Sequence, residues 1–384
     1  MKNNIVLVTN MITPYREYFY TKLYKQLKSK EISFHVLVSV DNEKGRNWYY
    51  NQYEQNYTYL LKGYKFYLRN NTYCINTGIK SFLKANNPEI VILAGGYNLP
   101  FVWQILFLKI LFKYKVYFWS ESHLHELRDY NHVTLLFREA IRKTIFKFFD
   151  GFLYSGKLSL EFIKKYAKAN ARLIFLPNLV DSQKFKQASC FIDDEINTFK
   201  NELCVDQKRK ILICPARITK VKGIKKFLEL FSYYTNKEYF QLIFVGDGDQ
   251  KKELESYAEI NKIDAKFLGY KEEPEIIKLY SIADVFLLPS LSDPNPLSCI
   301  EALWAGLPLL ISKHVGNYPE TVLENENGFV FDYDDPNTLF SSLDFYKDAS
   351  ESTLKNMSIT SMRLAGTIFN PDIVIPKLVE ELLE

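Results

Sequence analysis

Short β-branched and aliphatic runs alternate with segments of helical length along the whole chain, the pattern of parallel strands joined by crossover helices. In the first half this pattern predicts strands at Ile5 to Thr9, Phe34 to Ser39, Ile90 to Leu93, Val116 to Trp119 and Phe152 to Tyr154. Helices are predicted between them at Tyr15 to Leu27 and Ile79 to Lys84. A second series follows the stretch Leu176-Pro177-Asn178-Leu179-Val180-Asp181, with strands at Ile211 to Cys214, Leu242 to Val245, Lys266 to Leu268, Val285 to Leu288 and Leu309 to Ile311. Each is followed by a turn marked with Gly or Pro and then a helical segment. The expected architecture is α/β, with two doubly wound, Rossmann-like domains. Polar and charged residues replace the apolar runs near 181 to 205, so the domains are read as residues 1–182 and 183–364. The remainder, 365–384, ends in a short amphipathic helix from Pro371 and is expected to pack back on the first domain.

A length of 384 residues agrees with two domains. Hydrophobic residues at 47% and charged residues at 24% exclude disorder, collagen and coiled coil as descriptions of the chain. The net charge of +4 argues against a dedicated nucleic-acid binder and leaves anionic small molecules open as ligands. Five scattered cysteines, without a CxxC pair or a His/Cys cluster, favour a reducing compartment without structural zinc. The start MKNNIVLVTN lacks the apolar core of a signal peptide, and the apolar window Phe101 to Phe112 is too short to span a bilayer. That window reads as a buried or interfacial helix. Residues Phe137 to Phe149 combine Arg138, Arg142, Lys143 and Lys147 with apolar positions, either as a solvated helix over the core or as a helix lying on an anionic membrane. A cytoplasmic protein, peripheral on the inner face of the cell membrane, is the resulting expectation.

Ligands of open α/β sheets bind beyond the carboxyl ends of strands, so the turns there carry the candidate chemistry. After Ile211 to Cys214 comes PARITKVKG, which sets two cations, Arg217 and Lys222, before Gly223 at a helix start, an arrangement suited to a diphosphate or else a solvated basic turn. After Leu242 to Val245 come Gly246 and Gly248, which permit either close approach to a ligand or a plain tight turn. After Val285 to Leu288 the chain reads PSLSDPNPLSCIEALWAGLP, with Asn295 as the expected helix cap and Pro296 as the first helical residue. The amides of Leu297, Ser298 and Cys299 then face a phosphate. Asp293 and Glu301 are better placed as acceptors for sugar hydroxyls than as neighbours of a diphosphate. Cations and amides for phosphate, with carboxylates for hydroxyls, describe a nucleotide-sugar site.

Read together, these elements resemble the retaining glycosyltransferases of family 4, of the bacterial surface-polysaccharide type, which have the GT-B fold of two doubly wound domains facing across a cleft. The resemblance rests on Arg217 to Gly223, on the VGDG turn at Val245 to Gly248, and on Asp293 and Glu301 eight positions apart and leading into AlaLeuTrpAlaGlyLeuPro. VGNYPETV at Val315 to Val322, NGFVFD at Asn327 to Asp332 and the LPNLVD linker also match. It implies that a nucleoside diphosphate sugar donates a hexose or related sugar to a glycan or lipid-linked acceptor hydroxyl, with retention and with neither metal nor cofactor. It assigns the donor diphosphate to Arg217 and Lys222, the ribose hydroxyls to Glu301 and the transferred sugar to Asp293. Gly246, Gly248, Leu297 and Ser298 complete the donor residues. The chain departs from the family in having Asp for the usual Glu at 293, and Asn295-Pro296 where Phe-Gly often stands.

In the first domain Thr13, Arg16, Gly95 and Gly96 follow strand ends and are the acceptor candidates. The strand Val116 to Trp119 leads into Glu121, His123 and His125; the resemblance places His123 near the reactive carbon, with Glu121 as its competitor. The tyrosine-dense stretch Trp48 to Tyr73 suits carbohydrate faces, though such a composition is also ordinary for edge strands. Rival readings are a non-catalytic subunit that keeps the fold and another GT-B enzyme such as a nucleotide-sugar epimerase. A nicotinamide oxidoreductase lacks its full glycine fingerprint here.

Overall fold

The computed structural model describes every residue except 1–3, 43–49, 51–53, 69–70, 125–131 and 207. The chain divides into two compact units, one of Met1–Glu121, Asp129–Pro177 and Pro371–Glu384, the other of Ser122–Arg128 and Asn178–Asn370.

Unit 1 begins with strand β1 (Asn4–Thr9), helix α1 (Pro14–Ser29), β2 (Ser33–Val38) and β3 (Thr58–Leu60), followed by a hairpin of β4 (Gly63–Leu68) and β5 (Asn71–Asn76). It continues through α2 (Ile79–Asn86), β6 (Ile90–Ala94), α3 (Pro100–Phe112), β7 (Lys115–Ser120), α4 (His132–Ile145), β8 (Gly151–Tyr154), α5 (Lys157–Tyr166) and β9 (Arg172–Phe175). Seven of these strands form one parallel sheet in the order β3-β2-β1-β6-β7-β8-β9, with β4 and β5 pairing separately and antiparallel. All six residues of β1 and all five of β6 are buried, as central strands covered on both faces require. Thr13 caps α1 in an extended conformation with Pro14 at the first turn, where a missing N–H has no cost.

Unit 2 comprises α6 (Ser182–Lys186), α7 (Asp193–Glu202), β10 (Lys210–Pro215), α8 (Ile224–Tyr233), β11 (Phe240–Val245), α9 (Lys251–Ile260), β12 (Ala265–Phe267), α10 (Glu273–Ile282) and β13 (Val285–Leu288). It then runs through α11 (Leu297–Trp304), β14 (Leu309–Ser312), α12 (Tyr318–Thr321), β15 (Gly328–Phe331), α13 (Pro336–Asp348) and α14 (Glu351–Ile368). Its parallel sheet has the order β12-β11-β10-β13-β14-β15, and cores lie on both of its faces. The polar stretch read as an inter-domain boundary is part of this unit: Phe185, Ala188 and Val205 are buried in its core. The division falls at Pro177 and Asn178 rather than at 182, and at Asn370 rather than at 364.

The last helix, α15 (Pro371–Leu383), is part of unit 1. It buries Val374, Ile375, Leu378, Val379 and Leu382, and ion pairs Lys22 to Asp372 (3.1 Å) and Arg172 to Glu384 (3.0 Å) flank that apolar face. The pattern missed the short strands β3, β9 and β15 and both six-residue strands of the hairpin, β4 and β5. Helix α3 is neither wholly buried nor merely polar outside: Phe101, Val102, Ile105 and Leu108 face the core, while Trp103, Phe107, Ile110 and Leu111 are exposed.

Candidate functional site

The order of an open sheet reverses at one point, and a crevice forms there beyond the carboxyl ends of the two central strands. In unit 2 those strands are β10 and β13. Lys222, in the turn after β10, forms an ion pair through Nζ with Oδ2 of Asp293, in the turn after β13. Ser290 Oγ donates to the same carboxylate oxygen at 3.3 Å. The two turns meet through backbone at Gly223, which has φ of +68°, and a Cβ there would lie 2.0 Å from the Pro289 carbonyl oxygen. Tyr333 Oη locks the junction by donating to Pro289 O at 2.6 Å. Arg217 is exposed in the first of these turns.

The glycines after β11 have a structural reason of their own. A Cβ on Gly246 would stand 2.3 Å from Ala216 O, and one on Gly248 would stand 2.0 Å from Ile218 O. The close approach is therefore made by the β10 turn of the same protein. The Gly246 N–H is already given to Gly269 O at 2.8 Å.

Helix α11 starts one residue later than the sequence suggests. Pro296, not Asn295, is its cap, with extended φ of −67° and ψ of 129°. Asn178 Nδ2 donates to Asn295 O (3.1 Å) and Asn317 Nδ2 to Pro296 O (2.9 Å), which holds the chain extended through both residues. The amides of Leu297, Ser298 and Cys299 still form the first helical turn, where N–H groups lack intrahelical acceptors and the helix dipole favours an anion. One turn further, Glu301 is half-buried and accepts a hydrogen bond from Tyr280 Oη at 3.3 Å. Burial raises its carboxyl to about 7.

His123 is buried, at 4% exposure, and packs in unit 2 beside the loop after β14. A Cβ on Gly316 would lie 2.7 Å from His123 Cδ2 and 2.0 Å from Pro294 O. Gly316 N–H donates to Asp293 O at 2.7 Å, so His123, Asp293 and the start of α11 are built around one glycine. His125 lies outside the described residues.

In unit 1 the order reverses between β1 and β6. The turn after β1 leads through Thr13 into α1, whose Arg16 donates from Nη2 to Glu121 Oε1 at 2.5 Å. The guanidinium lies 3.7 Å from the centre of the Trp119 ring. Glu121 is thus the partner of Arg16 in unit 1, whereas its competitor His123 packs in unit 2. Gly95, with φ of +141°, and Gly96 form the turn after β6. A Cβ on Gly96 would meet Asn98 Oδ1 at 2.5 Å.

Lys222, Asp293, Leu297, Ser298, Glu301 and His123 are therefore gathered in unit 2, and Thr13, Arg16, Glu121, Gly95 and Gly96 in unit 1. Sequence reasoning missed Tyr280, Ser290, Tyr333 and the pair Gly316 and Asn317. Ser290 lies in the PSLSDPNPLS stretch and Gly316 and Asn317 in VGNYPETV, so these three carried a signal, whereas Tyr280 and Tyr333 did not. Among the described residues, no three His, Cys, Asp or Glu side chains cluster as a metal site.

Residues 195–358 match the family described as glycosyl transferases group 1. The alpha-monoglucosyldiacylglycerol synthase of Acholeplasma laidlawii is 27% identical over 167 residues, 43% of this chain and 42% of that protein. The amylovoran biosynthesis glycosyltransferase AmsK of Erwinia amylovora is 27% identical over 178 residues, 44% and 43% of the two chains. The matches span less than half the length of these curated relatives. The crystal structure of Anabaena HepE in complex with UDP and glucose superposes with a TM-score of 0.73 over 99% of both chains at 13% identity. The chain accordingly has the GT-B fold of two Rossmann-like domains, and its residues 195–358 match the group 1 glycosyltransferase family.

Proposed function

We propose that this protein is a retaining glycosyltransferase that moves a hexose or related sugar from a nucleoside diphosphate to a hydroxyl of a glycan or lipid-linked acceptor, in the synthesis of a cell-surface polysaccharide. The observation that carries this reading is the arrangement at the β10/β13 reversal: a lysine paired with a half-buried aspartate, a helix start with open amides, and a half-buried glutamate one turn along. In the reaction the bond from the anomeric carbon to the diphosphate oxygen breaks, with its electron pair leaving on the diphosphate. The acceptor oxygen bonds that carbon on the same face, and its proton passes to the leaving phosphate.

Lys222, Arg217 and the amides of Leu297 and Ser298 stabilise the charge that grows on the diphosphate. The Lys222 and Asp293 pair opens as phosphate replaces carboxylate on the lysine, which frees Asp293 to accept from a sugar hydroxyl. Glu301 accepts from the ribose hydroxyls. No metal takes part in this scheme. The two relatives, an alpha-monoglucosyldiacylglycerol synthase and an amylovoran biosynthesis glycosyltransferase, support an acceptor of either class. The exposed apolar face of α3 continues to the exposed Phe148, because Lys109 Nζ donates to Phe148 O at 2.9 Å, and exposed Lys113, Lys143 and Lys147 flank it. That combination suits an anionic membrane surface.

The test is transfer and donor hydrolysis by purified protein across a panel of nucleotide-sugars, with and without EDTA. Lys222→Ala and Glu301→Ala each lower turnover by orders of magnitude while circular dichroism stays unchanged. Near-wild-type turnover in either variant overturns the assignment, and the absence of any turnover in the wild type favours the non-catalytic subunit.

A further inference from the structure

The hairpin of β4 and β5 stands apart from the main sheet and presents one face to solvent. Register pairs Tyr64 with Ile75 and Phe66 with Tyr73, so these four side chains share a face. Tyr64 is 76% exposed, Ile75 49% and Phe66 43%, and the rings of Phe66 and Tyr73 stack on each other, 5.5 Å between centres and 15° between planes, which holds both in place. The opposite face is anchored through β5, while Lys65 and Tyr67 of β4 remain exposed on it. Thr72, Cys74 and Asn76 are buried, Asn76 Nδ2 donates to Ser39 O (3.1 Å), and Gln104 Nε2 on α3 donates to Asn76 O (2.8 Å).

We propose that this face binds the sugar chain of the acceptor, a neutral oligosaccharide whose pyranose rings lie on Phe66, Tyr73 and Tyr64. The proposal rests on the glycosyl-transfer reading and extends its acceptor site. Three observations select the occupant. The face is continuous with the β6 turn, because Asn98 Nδ2 donates to Tyr73 Oη at 3.2 Å and Asn98 follows Gly95 and Gly96 at the reversal of the unit 1 sheet. Its four described side chains, Tyr64, Phe66, Tyr73 and Ile75, are uncharged, and Lys65, on the opposite face, is paired with Asp41 at 2.6 Å, so these side chains favour a neutral ligand over an anionic lipid surface. Four side chains on two short strands also offer on the order of 300 Å², well below the roughly 800 Å² per partner of a stable dimer. Exposed apolar ring surface beside the tyrosine hydroxyls matches the axial C–H faces and equatorial hydroxyls of a pyranose chain.

The experiment uses the full chain with an array of neutral oligosaccharides of two to eight sugars, and UDP binding followed by thermal shift in parallel. The expected result is binding to longer members of at least one series, weakened about tenfold or more by the Phe66→Ala, Tyr73→Ala double variant. UDP binding and the thermal midpoint without ligand stay as in the wild type, and Phe66→Trp retains glycan binding. Glycan binding that is unchanged in the double variant overturns the proposal, as does the absence of any bound oligosaccharide. Loss of anionic-vesicle binding, or of a dimer in sedimentation, with glycan binding unaffected assigns the face to a membrane or a second copy and overturns it too. Failure of the transfer reading itself is distinct, because it removes nucleotide binding from the wild type.

Discussion

Glu301 shows how burial and function are set against each other at one residue. Its carboxyl is held near 7 in the folded chain against 4.5 for the free side chain, because half-burial beside Tyr280 disfavours the charged form. A raised carboxyl binds its proton more tightly in the folded state, so its contribution to stability is complete below about 4.5 and is lost as pH rises to about 7. Glu301→Gln removes the charge and keeps an acceptor oxygen. Its thermal midpoint is expected to exceed that of the wild type at pH 8, with the gap closing toward pH 5. A gap that is the same at both pH values would show that ionisation of this residue does not govern it. Lys222 and Asp293 differ from Glu301 in forming an ion pair with each other, so ligand entry there is an exchange of charged partners.

Single elements explain much of the aromatic excess, 27 Tyr and 29 Phe in the chain. The 3-10 turn Phe146 to Phe148 that follows α4 inserts Phe146 among Phe118, Phe149, Phe152, Phe162 and Tyr166, with ring centres 5.3 to 5.9 Å apart. Phe146 is fully buried, so Phe146→Ala removes a ring that its neighbours cannot replace. The expected cost is about 3–5 kcal/mol, read as a shift of the denaturant midpoint. A loss of under about 1 kcal/mol would mean that the cluster collapses onto the gap, which close packing resists. The sequence placed a basic amphipathic helix over Phe137 to Phe149; in the fold the helix ends at Ile145, and Phe146 and Phe149 turn inward into this cluster while Phe148 stays exposed.

At the scale of the molecule, the chain leaves unit 1 and returns to it through α15, whose apolar stripe packs against α1 and β9. Among the described residues no helix is long and apolar enough to cross a membrane. The proposed contact with a bilayer is assigned to the exposed α3 face. Flotation with vesicles rich in anionic lipid is expected to carry the wild type, and Phe107→Asp with Ile110→Ser to remain at the bottom. Flotation equal in both would remove α3 from the contact. The sequence by itself determined the two parallel sheets, because buried strands must be apolar along their whole length, and it marked Arg217, Lys222, Asp293 and Glu301, because chemistry at strand ends uses charged residues in turns. Tertiary structure alone decided which of these residues meet. Lys222 and Asp293 pair because the sheet order reverses between β10 and β13, Glu121 is taken by Arg16, and His123 packs against Gly316, whose missing side chain makes the room. The hairpin face was equally beyond the sequence, since a tyrosine-dense run does not state which rings are covered until the strands have paired and one side has docked.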